Sequence, residues 1–215
     1  MNREPFANGE FYHVYNRGVD KRKVFLTDAD FVRFLKGMDE FNSVDPIGSL
    51  YAKSFEKEKL SGSTAKSEDL VDVVAYCLNS NHFHFILRQV SENGISEFMK
   101  RLSGGYTWYF NNRLKRSGTL FQGRFKAIHV DYNPYLLHLS AYVNLNNLAH
   151  NISRTYRSSW SEYNGEDNKG VCKKDIILDQ FDGMNEYIRF AEETLKNIIE
   201  RKSLYVELES LFFKE

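Results

Sequence analysis

The chain has 215 residues, 42% of them hydrophobic and 15% aromatic, with 29 Lys and Arg balanced by 29 Asp and Glu; this is enough for one well-buried core with additions. Cys77 and Cys172 lie far apart and form no CxxC pair, which argues against a disulfide framework and against a cysteine zinc site. No apolar run approaches a membrane span, and Met1–Pro5 lacks the apolar stretch of a secretory signal, so a cytoplasmic protein with no membrane partner is expected.

Phe11-Tyr12-His13-Val14-Tyr15-Asn16 is rich in aromatic and β-branched residues and runs into Arg17-Gly18, which predicts a first strand ending in a turn. Thr27 or Asp28 can cap a helix whose apolar positions are Phe31, Val32, Phe34, Leu35, Met38 and Phe41. Residues 43–69 contain Pro46, Gly48, Gly62 and a mixed Ser/Lys/Glu run, read as a loop or partly ordered insertion. Leu70–Leu78 forms a second strand, and Asn79-Ser80-Asn81 turns it into a third that begins His82-Phe83-His84. Ile95–Arg116 has helical spacing, weakened or bent at Gly104-Gly105. Arg124–Val130 alternates like a strand, Pro134 opens a helix over Tyr135–His150, and Met184–Phe213 is helical by pattern. The order βαββαβα predicts an α+β fold: a ferredoxin-like antiparallel sheet with helices on one face and a C-terminal helical extension.

Within the third strand, alternation sets His82 and His84 side by side on one face, with Phe83 and Phe85 on the other. Two readings are open: a pair of chelating imidazoles awaiting a third ligand, or two histidines on the wetter face of a half-buried strand. On the helix after the fourth strand, His138, Tyr142 and Asn146 are spaced by four and share one stripe. Tyr142 either packs, with its hydroxyl finding a partner, or presents a phenol to a site.

Charge is unevenly spread. From Lys100 to Val130 the charged residues are Lys100, Arg101, Arg113, Lys115, Arg116, Arg124 and Lys126, with no Asp or Glu, whereas acidic residues prevail after about Ser161. Tyr106, Trp108, Tyr109, Phe121 and Phe125 interleave with these cations, a pattern that suits phosphates and stacked bases but is also met by core aromatics beside a solvated face. Arg17, Lys21, Arg22 and Lys23 form a second basic group, and Gln122 and His129 are polar candidates nearby.

Four ordered segments carry a family resemblance: Tyr12–Gly18, Tyr76–His84, Gly118–Lys126 and Leu139–Asn146. Together they resemble the single-tyrosine transposases of the His-hydrophobe-His (HUH) endonuclease superfamily, especially the branch that includes the REP-associated tyrosine transposases. The resemblance covers about residues 8–165, leaving 166–215 as an acidic, mainly helical extension. It implies a nucleophile at Tyr142, metal ligands at His82, His84 and Asn146, Mg²⁺ or Mn²⁺ as cofactor, and single-stranded or hairpin DNA as partner. Arg17, Arg22, Arg113, Lys115, Arg116, Gln122, Arg124 and Lys126 are the candidate DNA contacts, with His138 standing behind the ligands. Two departures are visible: Asn147 stands where members often carry proline, and the 43–69 insertion is long.

The expected activity is DNA transposition by metal-dependent cleavage and rejoining of a single strand through a covalent 5′-phosphotyrosine. A domesticated, non-catalytic DNA-binding protein of the same fold and a replication-type nicking relative are the alternatives. Relatives include monomers and homodimers, so either state fits.

Overall fold

The computed structural model describes residues 5–47, 68–150, 155–167 and 170–212, with side chains described as far as Arg201. Most of the 43–69 insertion therefore lies outside the described residues. Strands β1 (Phe11–Arg17), β2 (Val71–Asn79), β3 (His82–Gln89), β4 (Lys126–Val130) and β5 (Tyr156–Ser158) form one sheet in the order β4-β1-β3-β2-β5. Every neighbouring pair is antiparallel. The first four strands follow the ferredoxin-like order expected from the element pattern. The fifth is an addition that the sequence did not reveal, because three residues are too few to show a period.

Helices α1 (Asp28–Glu40) and α2 (Gly94–Arg113) cross over one face of this sheet, as expected. Phe31, Phe34 and Met38 of α1 and Phe98, Met99 and Leu102 of α2 bury themselves against Phe83, Phe85 and Leu87 of β3. Thr27 caps α1 in a capping box with Asp30, whose carboxylate accepts from the Leu26 and Thr27 N–H groups at 2.8 and 2.9 Å. Gly104-Gly105 does not break α2. A side chain at Gly105 would approach Phe41 to 2.9 Å and one at Gly37 would approach Leu102 to 3.0 Å, so these glycines let α1 and α2 pack closely.

The other face is covered too, which the expectation of helices on one face did not include. Helix α3 (Asn133–Asn144) lies there against β2 and β3, and the long α7 (Met184–Phe212) packs on α3. The expected helix over Tyr135–His150 is two pieces: Pro134 starts α3 early, and Leu145 leaves helical geometry (φ −108°, ψ 18°) before a single turn, α4 (Asn146–Ala149). The flanking asparagines explain the break. Asn144 bonds Tyr187 and Ser159, and Asn146 bonds Asn79, so two side chains on either side of Leu145 are held by different partners. Single turns α5 (Trp160–Tyr163) and α6 (Asp175–Leu178) complete the second core, where Tyr163, Ile177, Tyr187 and Ala191 are buried with Cys77 and Ile86.

Strand β2 carries a bulge: Val73 pairs with Leu87 and Ala75 with Ile86, leaving Val74 extra. Its carbonyl is taken by the Tyr163 hydroxyl at 2.8 Å. Beyond the bulge, Cys77 and Asn79 share the face of Ile86, His84 and His82.

Candidate active site

Strand alternation places His82 and His84 as the sequence predicts, on the α3 face, with Phe83 and Phe85 in the opposite core. Their rings stand perpendicular with centroids 5.2 Å apart. His82 is paired between Arg17 and Asn79, and His84 between Tyr15 and Cys77. Burial lowers the pKa of both, that of His84 well below the usual imidazole value; repulsion from His13, His82 and His150 adds to the shift of His84, while interaction with Asn146 opposes that of His82. Both are therefore neutral near pH 7, the form that can ligate a metal.

The hydrogen bonds identify which nitrogen each histidine leaves available. Asn81 donates its amide N–H to the Lys21 carbonyl at 3.2 Å, so its Oδ1 must accept from His82 Nδ1, 2.6 Å away. The proton thus sits on Nδ1, and His82 Nε2 keeps its lone pair. Asn79 Nδ2 lies 2.9 Å from that Nε2 and donates to Asn146 Oδ1 at 2.7 Å, bracketing the two donor atoms. His84 Nδ1 is likewise engaged, 2.9 Å from His13 Nε2.

The Tyr142 ring meets His84 edge-on, 5.9 Å between centroids, within the same chain. Burial raises its pKa above that of an ordinary phenol, and interaction with Asn146 opposes the shift. Asn146 is fully buried, and its Nδ2 has no hydrogen-bond partner while its Oδ1 is held by Asn79. An unpaired buried donor is costly. Here it belongs to the residue that favours ionised Tyr142, and a phenolate or phosphate oxygen would satisfy it. Although α3 ends before Asn146, the two side chains still meet.

Sequence reasoning missed several members of this cluster. His13 and Tyr15 stack on His84 at 5.2 and 5.7 Å, Asn79 and Asn81 flank His82, and His150 lies 6.0 Å from His82. The alternation of β1 already puts positions 13, 15 and 17 on one face; what was lacking was the register of β1 on β3, which sets Tyr15 opposite His84. Burial lowers the pKa of His13 to about 4. His138, in contrast, turns to α7, with Nδ1 3.0 Å from Thr194 Oγ1 and its ring 4.9 Å from Phe190.

The candidate DNA contacts divide into groups. Arg17 follows the histidine face at the end of β1 and donates to Gln122 at 2.8 Å, while Lys126 stands opposite Tyr15, so these three border the cluster. Arg22 is exposed and ion-paired with Asp20 at 3.3 Å. Arg113 pairs with buried Asp30 at 2.8 Å, and Arg116 braces the following loop through Asn111 at 2.6 Å and the Thr119 carbonyl at 3.1 Å. Lys115 sits in a left-handed turn (φ 51°) after α2, exposed. Arg124 lines a groove of the α2 face with Lys100, Phe125 and Trp108, the last 66% exposed. Tyr106 and Phe121 belong to the core. His129 pairs with Glu10 at 2.7 Å on the open edge strand.

Among the described residues, no group of three His, Cys, Asp or Glu side chains is arranged to hold a metal. The donor set here is of another kind: two imidazole nitrogens of half-buried histidines and the amide oxygen of buried Asn146, all neutral. It fits a divalent cation, with the affinity left to geometry and to bound phosphate. Among the described residues no helix is long and apolar enough to cross a membrane.

Comparison with known proteins finds a family model that matches part of the chain. The model described as "Transposase IS200 like" matches residues 56–146, a stretch that holds His82, His84, Tyr142 and Asn146. A solved structure of a REP-associated tyrosine transposase bound to a REP hairpin is similar at 12% identity and a TM-score of 0.49, over 81% of this chain and 89% of that one. No curated protein matches. The family match over residues 56–146 agrees with the resemblance read from the sequence.

Proposed function

We propose that this chain, whose residues 56–146 match the IS200-like transposase model, cuts and rejoins single-stranded or hairpin DNA through a covalent bond to Tyr142. The observation that carries the reading is that Tyr142, His82, His84 and Asn146, distant in sequence, converge on one face of the sheet. The phenol oxygen attacks the scissile phosphorus, the bond to the 3′ oxygen breaks, and a 5′-phosphotyrosine and a free 3′-hydroxyl result. Attack by a 3′-hydroxyl on that linkage reverses the step and joins DNA, so no nucleotide cofactor is needed.

Each residue has a share in this. Tyr142 must lose its proton, and the unpaired Asn146 N–H favours the resulting oxygen charge. His82 Nε2, His84 Nε2 and Asn146 Oδ1 are the atoms that would hold Mg²⁺ or Mn²⁺, which when bound draws negative charge from the phosphate oxygens. Arg17 and Lys126 border the site where a phosphate chain would run, and exposed Trp108 offers a face for a base.

The test is to incubate the protein and Mn²⁺ with end-labelled single strands from the flanks of its own gene. A protein–DNA adduct that survives denaturant is expected, and its absence on every flanking strand and hairpin would sink the proposal. The same assay reads whether the site is built by one chain. Because Tyr142 lies beside its own His84 and its helix is tied to α7 through Tyr187, which bonds Ser140 at 3.0 Å and Asn144 at 2.8 Å, catalysis should occur in cis. Mixing Tyr142→Phe with His84→Ala protein should restore no adduct; recovery would mean that chains exchange tyrosine helices.

A further inference from the structure

His13 does more than fill space in β1. Its Nε2 lies 2.9 Å from His84 Nδ1, the rings stack at 5.2 Å and 22°, and the residue is 7% exposed. In this contact one nitrogen must donate and the other accept. If His13 donated, the neutral His84 would carry its proton on Nε2 and have no lone pair to offer the site. If His84 donates, its Nε2 keeps its lone pair, as does that of His82, whose Nδ1–H is spent on Asn81 and whose Nε2 accepts from Asn79.

We infer that His13 is a positioning residue: it accepts the Nδ1 proton of His84 and so fixes the tautomer and ring orientation that aim His84 Nε2 at a divalent cation. The inference rests on the metal-binding reading above and deepens it. The partner of a metal-bound histidine is commonly a carboxylate or a backbone carbonyl, and a carboxylate raises the basicity of its ligand. A neutral imidazole in that place orients His84 without adding charge. The cation then keeps more of its pull on phosphate oxygens. Tyr15 lies against both rings, tilted on His13 and stacked on His84 at 5.1 and 5.7 Å, and so supports the pair.

Two variants separate this role from simple packing. Gln at position 13 can set an amide oxygen near the place of Nε2, whereas Leu fills volume and accepts nothing. Mn²⁺ binding to the full chain, followed by electron paramagnetic resonance, should weaken about 10- to 100-fold in His13→Leu and by much less in His13→Gln. Adduct formation in His13→Leu should recover at high Mn²⁺. In the metal-free wild type, ring ¹⁵N spectra should show His84 protonated at Nδ1, with that preference lost in His13→Leu; thermal melting confirms that the variants are folded. Wild-type Mn²⁺ affinity in folded His13→Leu, equal weakening in both variants, or a wild-type His84 protonated at Nε2 would overturn the inference and leave the proposed function standing. Failure of the wild type to bind Mn²⁺ at all would overturn both.

Discussion

Tyr142→Phe should abolish the covalent DNA adduct entirely while leaving the protein folded and able to bind DNA. The phenyl ring keeps its edge contact with His84, 5.9 Å between centroids, and its place on α3, so the packing that orients the helix is unchanged. Only the oxygen is lost, and no hydrogen bond to it is broken in the folded protein, since the Asn146 N–H is unpaired and its Oδ1 is held by Asn79. Stability should therefore shift by less than about 1 kcal/mol, the usual net worth of one hydrogen bond. Activity should fall below detection, because an attacking atom has no substitute, in contrast to a residue that merely assists. Denaturing gels of end-labelled DNA report the adduct, thermal melting reports the fold, and gel retardation reports binding. An adduct that persists in the phenylalanine variant would assign the nucleophile elsewhere.

The second large effect concerns stability. Arg113→Leu should destabilise the protein by about 2–3 kcal/mol, measured by urea unfolding. Asp30 is fully buried, and its carboxylate already caps α1 through the Leu26 and Thr27 N–H groups; Arg113 reaches it from the end of α2 at 2.8 Å. Removing the guanidinium leaves a carboxylate buried without its counter-charge, which costs about 3–5 kcal/mol where both partners are enclosed. Arg113 is 30% exposed, so water recovers part of that. DNA affinity of the folded variant should change little, whereas Arg17→Ala, beside the histidine cluster, should weaken it. A normally stable Arg113→Leu protein with poor DNA binding would reverse these assignments.

These two residues also mark what was legible in the sequence. His82, His84 and Tyr142 were readable because strand alternation and helical spacing depend only on neighbours along the chain. Their meeting rests on the sheet order, which the βαββαβα pattern already implied. Arg113 was not readable in the same way. Its partner Asp30 lies 83 residues earlier, and a cation whose partner is remote looks, in the sequence, like a free one. The same holds for His13, whose partner is 71 residues away. The break at Leu145 was hidden because the apolar spacing continues through it, while the side chains that interrupt the helix answer to Ser159, Tyr187 and Asn79. Aromatic residues of the basic segment divided by helix face: Tyr106 and Phe110 turn inward and Trp108 outward.

The order of strands has a consequence for how the protein behaves at high concentration. β2 and β3 are the most apolar segments of the sheet, with all nine residues of β2 buried, and such stretches self-associate when their backbone is left open. They occupy the middle. The rims are β4, five residues with Lys126 and His129 exposed, and β5, only three residues long. Short rims, one of them carrying a lysine, offer a second molecule little on which to extend the ladder. The arrangement therefore guards against aggregation by keeping the adhesive strands inside and the blunt ones outside.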